Sequence, residues 1–551
     1  MGASSHHRRR WLAALALAAA PLAAAQSVAV QPPPGWYAGD THVHIQQCPD
    51  VPDLTIDQVY DAMLARGLDV AAVQLWAKWA DAQQYLELYA AQVTGVEEPQ
   101  TLADPAHRLE RGVEVSGFAA SQFGHLQALD VQSGFFPQDA LYGGPILEFF
   151  RAQPGAIVGY AHVQWFEDYQ PRPFYGGGGG AYLAPIDAAI GAIDFVESAR
   201  VGQGPGTSWR GLYYKLLNSG LRVALVGGSD NSCLSPSIGD TRTFARVGDE
   251  PLTFETWCQA VRAGRTSIAD DGSRFVDLVV DGTGLGGEVD LAAPGTVEAT
   301  ATLAAAAGVG HSGTLRLLRN GVGVAAAPYD LSDGGTATLQ AAIHMQTSGW
   351  LAATADGQAH TAAIYVTVGD RPIAQAQDAQ YWMQYCDDLA ANIGAFAVPS
   401  VEDELLERIQ AARKVYSALA SLDLPLPEGV LTYGQSTPSC HGPIAIGVTA
   451  PPGQPFAIDC LGAPPGAAGL LVLGLFPHAE GTPILGLTLL IDVGLPYFLV
   501  PVVATAGGYV QVPISAPSGK RFCAQFVWLN PPGCGAGGPL AASNGLDVTV
   551  P

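Results

Sequence analysis

Between residues 35 and 272 the chain keeps returning to one arrangement: a short apolar run, then a segment with apolar residues at helical spacing that stops at glycine. Leu54 to Arg66 carries Ile56, Val59, Tyr60, Met63 and Leu64 on one helical face, ends at Gly67, and is followed at once by Val70-Ala71-Ala72-Val73. Four consecutive apolar residues suit a strand buried on both faces. The same reasoning gives strands over 112–116, 156–160, 193–196 and 222–226, and helices over 146–152, 209–218 and 254–263. Repeated strand–helix units bury their apolar faces around a parallel sheet, open or closed into a barrel, so the expected fold class is α/β.

A chain of 551 residues is too long for that unit alone, since domains average about 150 residues. Residues 273–370 hold short Val, Leu, Ala and Thr runs between glycine pairs, such as Val276-Asp277-Leu278-Val279-Val280, and predict a β-sandwich. Residues 371–432 form a helical segment with helices expected over 378–391 and 401–419, and residues 433–551 return to β as a C-terminal all-β domain. The 66 glycines and 40 prolines speak against a helical bundle.

Residues 1–25 read as a signal peptide: Arg8-Arg9-Arg10, an apolar Ala/Leu run from Trp11, and Ala23-Ala24-Ala25 before the cleavage point. The protein is therefore expected to be exported, periplasmic or extracellular. Leu470 to Ala504 is apolar but is cut by Gly474, Pro477, Gly481 and Pro483 into strand-sized pieces, so no transmembrane segment is expected. With 26 Lys and Arg against 50 Asp and Glu, the net charge of −24 excludes nucleic acid as a partner. From Gln435 onward only Asp459, Glu480, Asp492, Lys520, Arg521 and Asp547 are charged. That region suits an appended β-domain with a surface or matrix contact. Its Cys440, Cys460, Cys523 and Cys534 are expected to supply one or two disulfides, the pairing open.

The chemistry concentrates at expected strand ends. In Gly39-Asp40-Thr41-His42-Val43-His44 the two imidazoles share one face, because side chains on a strand repeat every two residues. Glu114 lies in Gly112-Val113-Glu114-Val115-Ser116, His125 follows Gly124, His162 closes Gly159-Tyr160-Ala161-His162, and Asp230 ends Gly227-Gly228-Ser229-Asp230. Four imidazoles and two carboxylates on one rim need partners once buried. A divalent metal is the expected partner. Asp40 is a candidate for orienting a ligand. Arg242 is a candidate for an anionic substrate or developing oxyanion, or for a salt bridge to a nearby acid. Glu197 is a secondary candidate that could pair with Arg200. Trp76, Trp79, Trp165, Phe166 and Tyr169 follow strand ends as pocket linings or as packing under loops, and Gly176 to Gly180 suits a lid or a linker.

Taken together, Gly-Asp-x-His-x-His, Gly67-Leu68-Asp69-Val70-Ala71-Ala72-Val73, Gly-x-Glu, Gly-His, Ala-His and Gly-Ser-Asp resemble the polymerase-and-histidinol-phosphatase (PHP) superfamily, in particular its CehA/McbA-type metallohydrolases. Thr241-Arg242-Thr243 and Ala263-Gly264-Arg265-Thr266 resemble the same branch. The resemblance implies a distorted (β/α)7 barrel and hydrolysis of an ester, carbamate, amide or phosphoester bond in a small-molecule substrate by a metal-activated hydroxide. It places one ion on His42, His44, Glu114 and Asp230, and a second on Glu114, His125 and His162. Gln74-Leu75-Trp76 stands where the family has Thr-Asp-His, and Asp230-Asn231-Ser232 where it often has Asp-x-His. Both departures fall at the third ion, so one or two divalent metal ions, Zn, Mn or Fe, are implied. They also support an alternative, a non-catalytic member with a structural metal whose β-domains bind a surface partner.

Overall fold

The computed structural model describes residues 29–45, 53–78, 106–116, 123–132, 136–137, 140–163, 166, 180–202, 209–231, 237–369, 371–395, 399–423, 429–439, 444–449, 456–517, 519–531 and 538–550. The signal peptide expected at 1–25 lies outside them. The fold is mixed α/β with several sheets.

The first part runs β1 (Trp36–His44), α1 (Ile56–Arg66), β2 (Val70–Lys78), β3 (Arg108–Ser116), β4 (Leu126–Leu129), α2 (Gly143–Arg151), β5 (Ile157–Tyr160), α3 (Ala184–Ala189), β6 (Phe195–Ser198), α4 (Trp209–Asn218), β7 (Ala224–Gly227), β8 (Thr241–Arg246), α5 (Phe254–Arg262) and β9 (Thr266–Asp270). Local chemistry sets the helix ends. Thr55 Oγ1 accepts from the Gln58 N–H and Gln58 Oε1 from the Thr55 N–H, a reciprocal cap on α1. Gly67, at φ 62°, closes it in the left-handed conformation that glycine adopts without cost.

The strands lie in the order β9-β8-β1-β2-β3-β4-β5-β6-β7. The expected parallel sheet holds for β1–β2–β3 and β5–β6–β7, but β4 is antiparallel to both neighbours and β8 to both of its own. Neither is separated from its predecessor by a crossover helix among the described residues, and such short connections permit antiparallel pairing. The sheet also curls. Thr266 Oγ1 donates to the Leu225 carbonyl at 2.7 Å, Thr243 Oγ1 exchanges hydrogen bonds with the Gly227 N–H and C=O at 2.7 and 2.9 Å, and the Asp230 N–H reaches the His42 carbonyl at 2.9 Å. The turn after β7 thus meets the end of β1.

The β-rich part that follows is only in part a separate sheet. It holds β10 (Arg274–Val280), β11 (Glu288–Leu291), β12 (Gly295–Ala305), β13 (His311–Arg319), β14 (Val322–Leu331), β15 (Gly335–Met345), β16 (Gly349–Ala355), β17 (Ala359–Thr361) and β18 (Ile364–Val368). One layer is β10-β12-β15; the other joins the curled sheet, because β17 pairs with β9. Helices α6 (Ala376–Asn392) and α7 (Glu402–Asp423) pack back onto the first part. Tyr416 on α7 donates to the Pro185 carbonyl, and Tyr385 on α6 to that of Tyr182. One buried apolar cluster runs from Val30 to Ala420 and takes in Leu461 and Tyr509 from the C-terminal part.

That C-terminal part runs from β19 (Val430–Tyr433) to β29 (Gly545–Thr549), in sheets of six, three and two strands among the described residues. Cys460 and Cys523 are buried thiols, which corrects the expectation that they form disulfides. They belong to different apolar clusters, so their side chains are held apart. Cys48, Cys233, Cys440 and Cys534 lie outside the described residues. No helix among the described residues is long and apolar enough to cross a membrane.

Candidate metal centre

The curled sheet brings six side chains to one rim. Two-residue periodicity turns His42 and His44 of β1 the same way, with their Nε2 atoms 3.0 Å apart. On β3, Glu114 Oε2 lies 3.3 Å from His44 Nε2 and 3.6 Å from His42 Nε2. Asp230, just past β7, sets Oδ1 at the same two distances, 3.3 and 3.6 Å. A tetrahedral ion with bonds of roughly 2.0–2.2 Å requires donor–donor edges of about 3.3–3.6 Å. The four nitrogen–oxygen edges among these atoms match that range, and the nitrogen–nitrogen edge is 3.0 Å.

The other Glu114 oxygen serves a second group. Oε1 lies 2.8 Å from His125 Nδ1 and 3.4 Å from His162 Nε2, and those nitrogens are 3.1 Å apart. The six residues thus form two adjacent triads, His42–His44–Asp230 and Glu114–His125–His162, each able to hold an ion, with Glu114 facing both. His125 reaches this rim from the N-terminal side of β4, because the antiparallel direction of that strand brings its start to the C-terminal ends of its neighbours. His162 and Asp230 both adopt left-handed backbone, at φ 39° and 49°. This conformation costs an L-residue on the order of 1–2 kcal/mol and concentrates at functional sites.

The cluster is buried on one side and open on the other. His42, His44, Glu114 and His162 are at most 3% exposed, whereas the Asp230 and His125 side chains are 23% and 18% exposed and mark the way in. Burial alone would depress the His42 imidazole, but Glu197, Asp230 and Glu114 outweigh it and hold its pKa well above the ordinary range. His44 is likewise raised against its burial by Asp230 and Glu114. Burial pushes the carboxylates up, yet the imidazoles win: Glu114 falls well below its usual range and Asp230 falls as well. The carboxylates thus make the rim a place that favours positive charge.

Surrounding groups fix the ligands. Glu197 on β6 is fully buried and accepts the His42 Nδ1–H at 3.0 Å, the Thr41 hydroxyl at 3.1 Å and the His162 backbone N–H at 3.3 Å. It does not pair with Arg200, which is exposed. A carboxylate only accepts, so it keeps the proton on Nδ1 and leaves the Nε2 lone pair facing the rim. Glu197 is thus more central than its sequence suggested; the available signal was its place at a strand end.

Asp40 points away from the ligands. Its Oδ1 accepts from the His42 and Ser229 N–H groups at 3.0 and 2.8 Å, and its Oδ2 from Gly239 at 2.7 Å, which ties β1 to the turn that carries Asp230. Arg242, expected to face a substrate or pair with an acid, is 1% exposed and donates to the Gly239 carbonyl from Nε and one terminal nitrogen, and to the Arg66 carbonyl from the other. Burial pushes its pKa down to about 10. Its N–H groups serve carbonyls, so the structure gives it a bracing position in place of the expected substrate contact.

Neighbouring amides hold the strand that carries the histidines. Asn231 brackets the His44 backbone, accepting its N–H at 2.8 Å and donating to its carbonyl at 3.0 Å. Gln74 and Gln127 both donate to the Thr41 carbonyl, at 2.5 and 2.8 Å. Sequence reasoning missed these amides as clamps, since a neutral amide carries no signal of its partner. Phe166 packs against Trp382 and Tyr385, with centroids 6.0 and 5.7 Å away, which fits packing rather than a pocket lining. The Trp76 side chain, Trp79, Trp165, Tyr169 and Gly176–Gly179 lie outside the described residues.

No protein-family model matches the chain, and no curated protein matches it.

Proposed function

We propose that the chain is an exported, metal-dependent hydrolase of the PHP superfamily, of the CehA/McbA type, cleaving an ester, carbamate, amide or phosphoester bond in a small molecule. On this reading the curled sheet with its helices is a distorted (β/α)7 barrel. The observation that carries the proposal is Glu114, with one oxygen directed to each of two histidine-containing triads. A nitrogen and oxygen donor set without thiolates suits Zn, Mn or Fe.

His42, His44, Glu114 and Asp230 would hold one ion, and Glu114, His125 and His162 the second. Ions held there would supply Lewis acidity toward the scissile group and lower the pKa of coordinated water. Glu197 keeps His42 in the tautomer that can ligate, Asp40 holds the Asp230 turn against β1, and the exposed edges of Asp230 and His125 leave an approach for the substrate.

Metal analysis of the purified full chain tests the reading. About one or two equivalents of Zn, Mn or Fe are expected, and less than half an equivalent refutes it. Hydrolysis of p-nitrophenyl esters and p-nitrophenyl phosphate should then fall to background in His42→Ala/His44→Ala.

A second reading, a non-catalytic protein with a structural metal and a surface partner for its β-rich parts, is favoured by Trp76 and Ser232 standing in the sequence where the PHP pattern has histidines and by Arg242 being held on carbonyls. Metal present, with no hydrolysis that depends on His42 and His44, would select it.

A further inference from the structure

At the opposite end of the same strands lies a cleft of about 570 Å³ between the curled sheet, α7 and the C-terminal part. Ala156, Asp194 and Arg222 line it and precede β5, β6 and β7, whose far ends lead to His162, Glu197 and Asp230. The volume falls within the roughly 300–1,000 Å³ of small-molecule sites.

Three guanidiniums meet there, Arg151, Arg222 and Arg262. Arg222 lies over the Tyr365 ring at 4.4 Å and pairs with Glu288 at 2.7 Å. Arg262 is held by Asp194 at 3.4 Å and by the carbonyls of Gly155 and Ala156. Arg151 donates to the Gly191 carbonyl and has no carboxylate partner among the described residues. Arg222 and Arg262 are thus paired with carboxylates and Arg151, among the described residues, is not, in a chain whose net charge is −24. The walls are apolar: Ile193, Ile373, Val415, Leu419 and Leu461 line the cleft. Its rim is drawn tight where a Cβ on Gly191 would lie 2.4 Å from the Gly507 nitrogen.

We propose that this cleft binds a monoanionic amphiphile, a carboxylate on an aliphatic body, with its head on Arg151 and its chain against the apolar walls. One guanidinium without a carboxylate partner matches a monoanion better than a phosphate dianion. Bidentate geometry suits guanidinium to carboxylate, and the aliphatic walls exclude a purely polar ion. Contacts to both the curled sheet and the C-terminal part would let such a ligand clasp the two together.

Calorimetry on the full chain with octanoate, octanol and inorganic phosphate tests this. Octanoate should bind saturably at one equivalent, at least tenfold more tightly than octanol or phosphate. Arg151→Glu should weaken it at least tenfold, and His42→Ala/His44→Ala should leave it unchanged. Arg151 is exposed, so folding should survive, as circular dichroism can check. Arg262→Gln, at a side chain 43% exposed, is the second variant and should weaken octanoate binding in the same direction. The proposal fails if octanoate does not saturate, if phosphate or octanol binds as tightly, if neither arginine variant weakens binding, or if binding is lost in the histidine variant.

Discussion

At His42 the position of one proton decides what the ring can hold. Glu197 accepts the Nδ1–H, so Nε2 keeps its lone pair for the rim. Glu197→Gln leaves a hydrogen bond but removes the charge that fixes the tautomer. It should lower metal affinity about 10–100-fold, as substitutions behind metal ligands do, without altering far-ultraviolet circular dichroism; competition with a chromophoric chelator measures this. Proton competition gives a second outcome. Despite burial, Glu197, Asp230 and Glu114 raise the His42 pKa, and Asp230 and Glu114 raise that of His44, so the rings hold protons to higher pH than free imidazole. Ligands must shed those protons to bind metal. Affinity should therefore weaken as pH falls, starting above the ordinary imidazole value of about 6.5, with proton release on binding in weakly buffered solution; a flat profile would contradict it. His42 and His44 were legible in the sequence because a two-residue period states which way side chains point. Glu197 was not, since Val196-Glu197-Ser198 looks like any strand end and the residue it serves is 155 positions away.

Elements with strong local signals were legible, and those defined by distant partners were not. Helix α4 falls at 209–218 as expected, because its apolar face and the following glycine are local features. Strand β4 is four residues long and has no helix between it and β3 among the described residues to mark it, so its antiparallel direction, which brings His125 to the rim, emerges only from pairing with β3 and β5. Strands β8 and β9 hide among threonines whose hydroxyls bond across to β7. Strand β17 carries a testable consequence. His360 is fully buried, donates from Nδ1 to the Thr361 carbonyl at 2.6 Å, and accepts the Tyr214 hydroxyl at 2.7 Å. Burial, then nearby Arg210, pushes its pKa down to about 3. A histidine depressed in the folded state contributes stability that is complete above its unfolded value, about 6.5, and is lost as pH falls toward the folded value. The slope within that window is about 1.4 kcal/mol per pH unit. Between pH 7 and 5 the wild type should thus lose about 2 kcal/mol more than His360→Gln, as read by urea unfolding; equal losses would show that His360 does not titrate there.

Over the whole molecule, the sequence disclosed several structural regimes but not how tightly they share a core. Arg408 of α7 reaches Asp187 of α3 at 2.5 Å, and Asp187 accepts the Tyr160 hydroxyl at 2.6 Å, at the end of the strand that leads to His162. Asp187 is fully buried. Arg408→Leu leaves that carboxylate without its cation, which should cost about 3–5 kcal/mol and lower Tm, while Asp187→Leu/Arg408→Leu should be milder. Equal losses in the two variants would argue against an uncompensated charge. Composition revealed none of this, because the partners are 221 residues apart. The pairing of β17 with β9 has a consequence for ancestry as well. A module joined only by a linker can be exchanged between lineages without disturbing its neighbour, but this β-rich part is hydrogen-bonded into the sheet that carries the histidines. Its loss would bare the β9 edge, and bare edges recruit foreign strands. A chain cut between β9 and β17 is therefore expected to aggregate, so an exchange of the β-rich part alone would be costly.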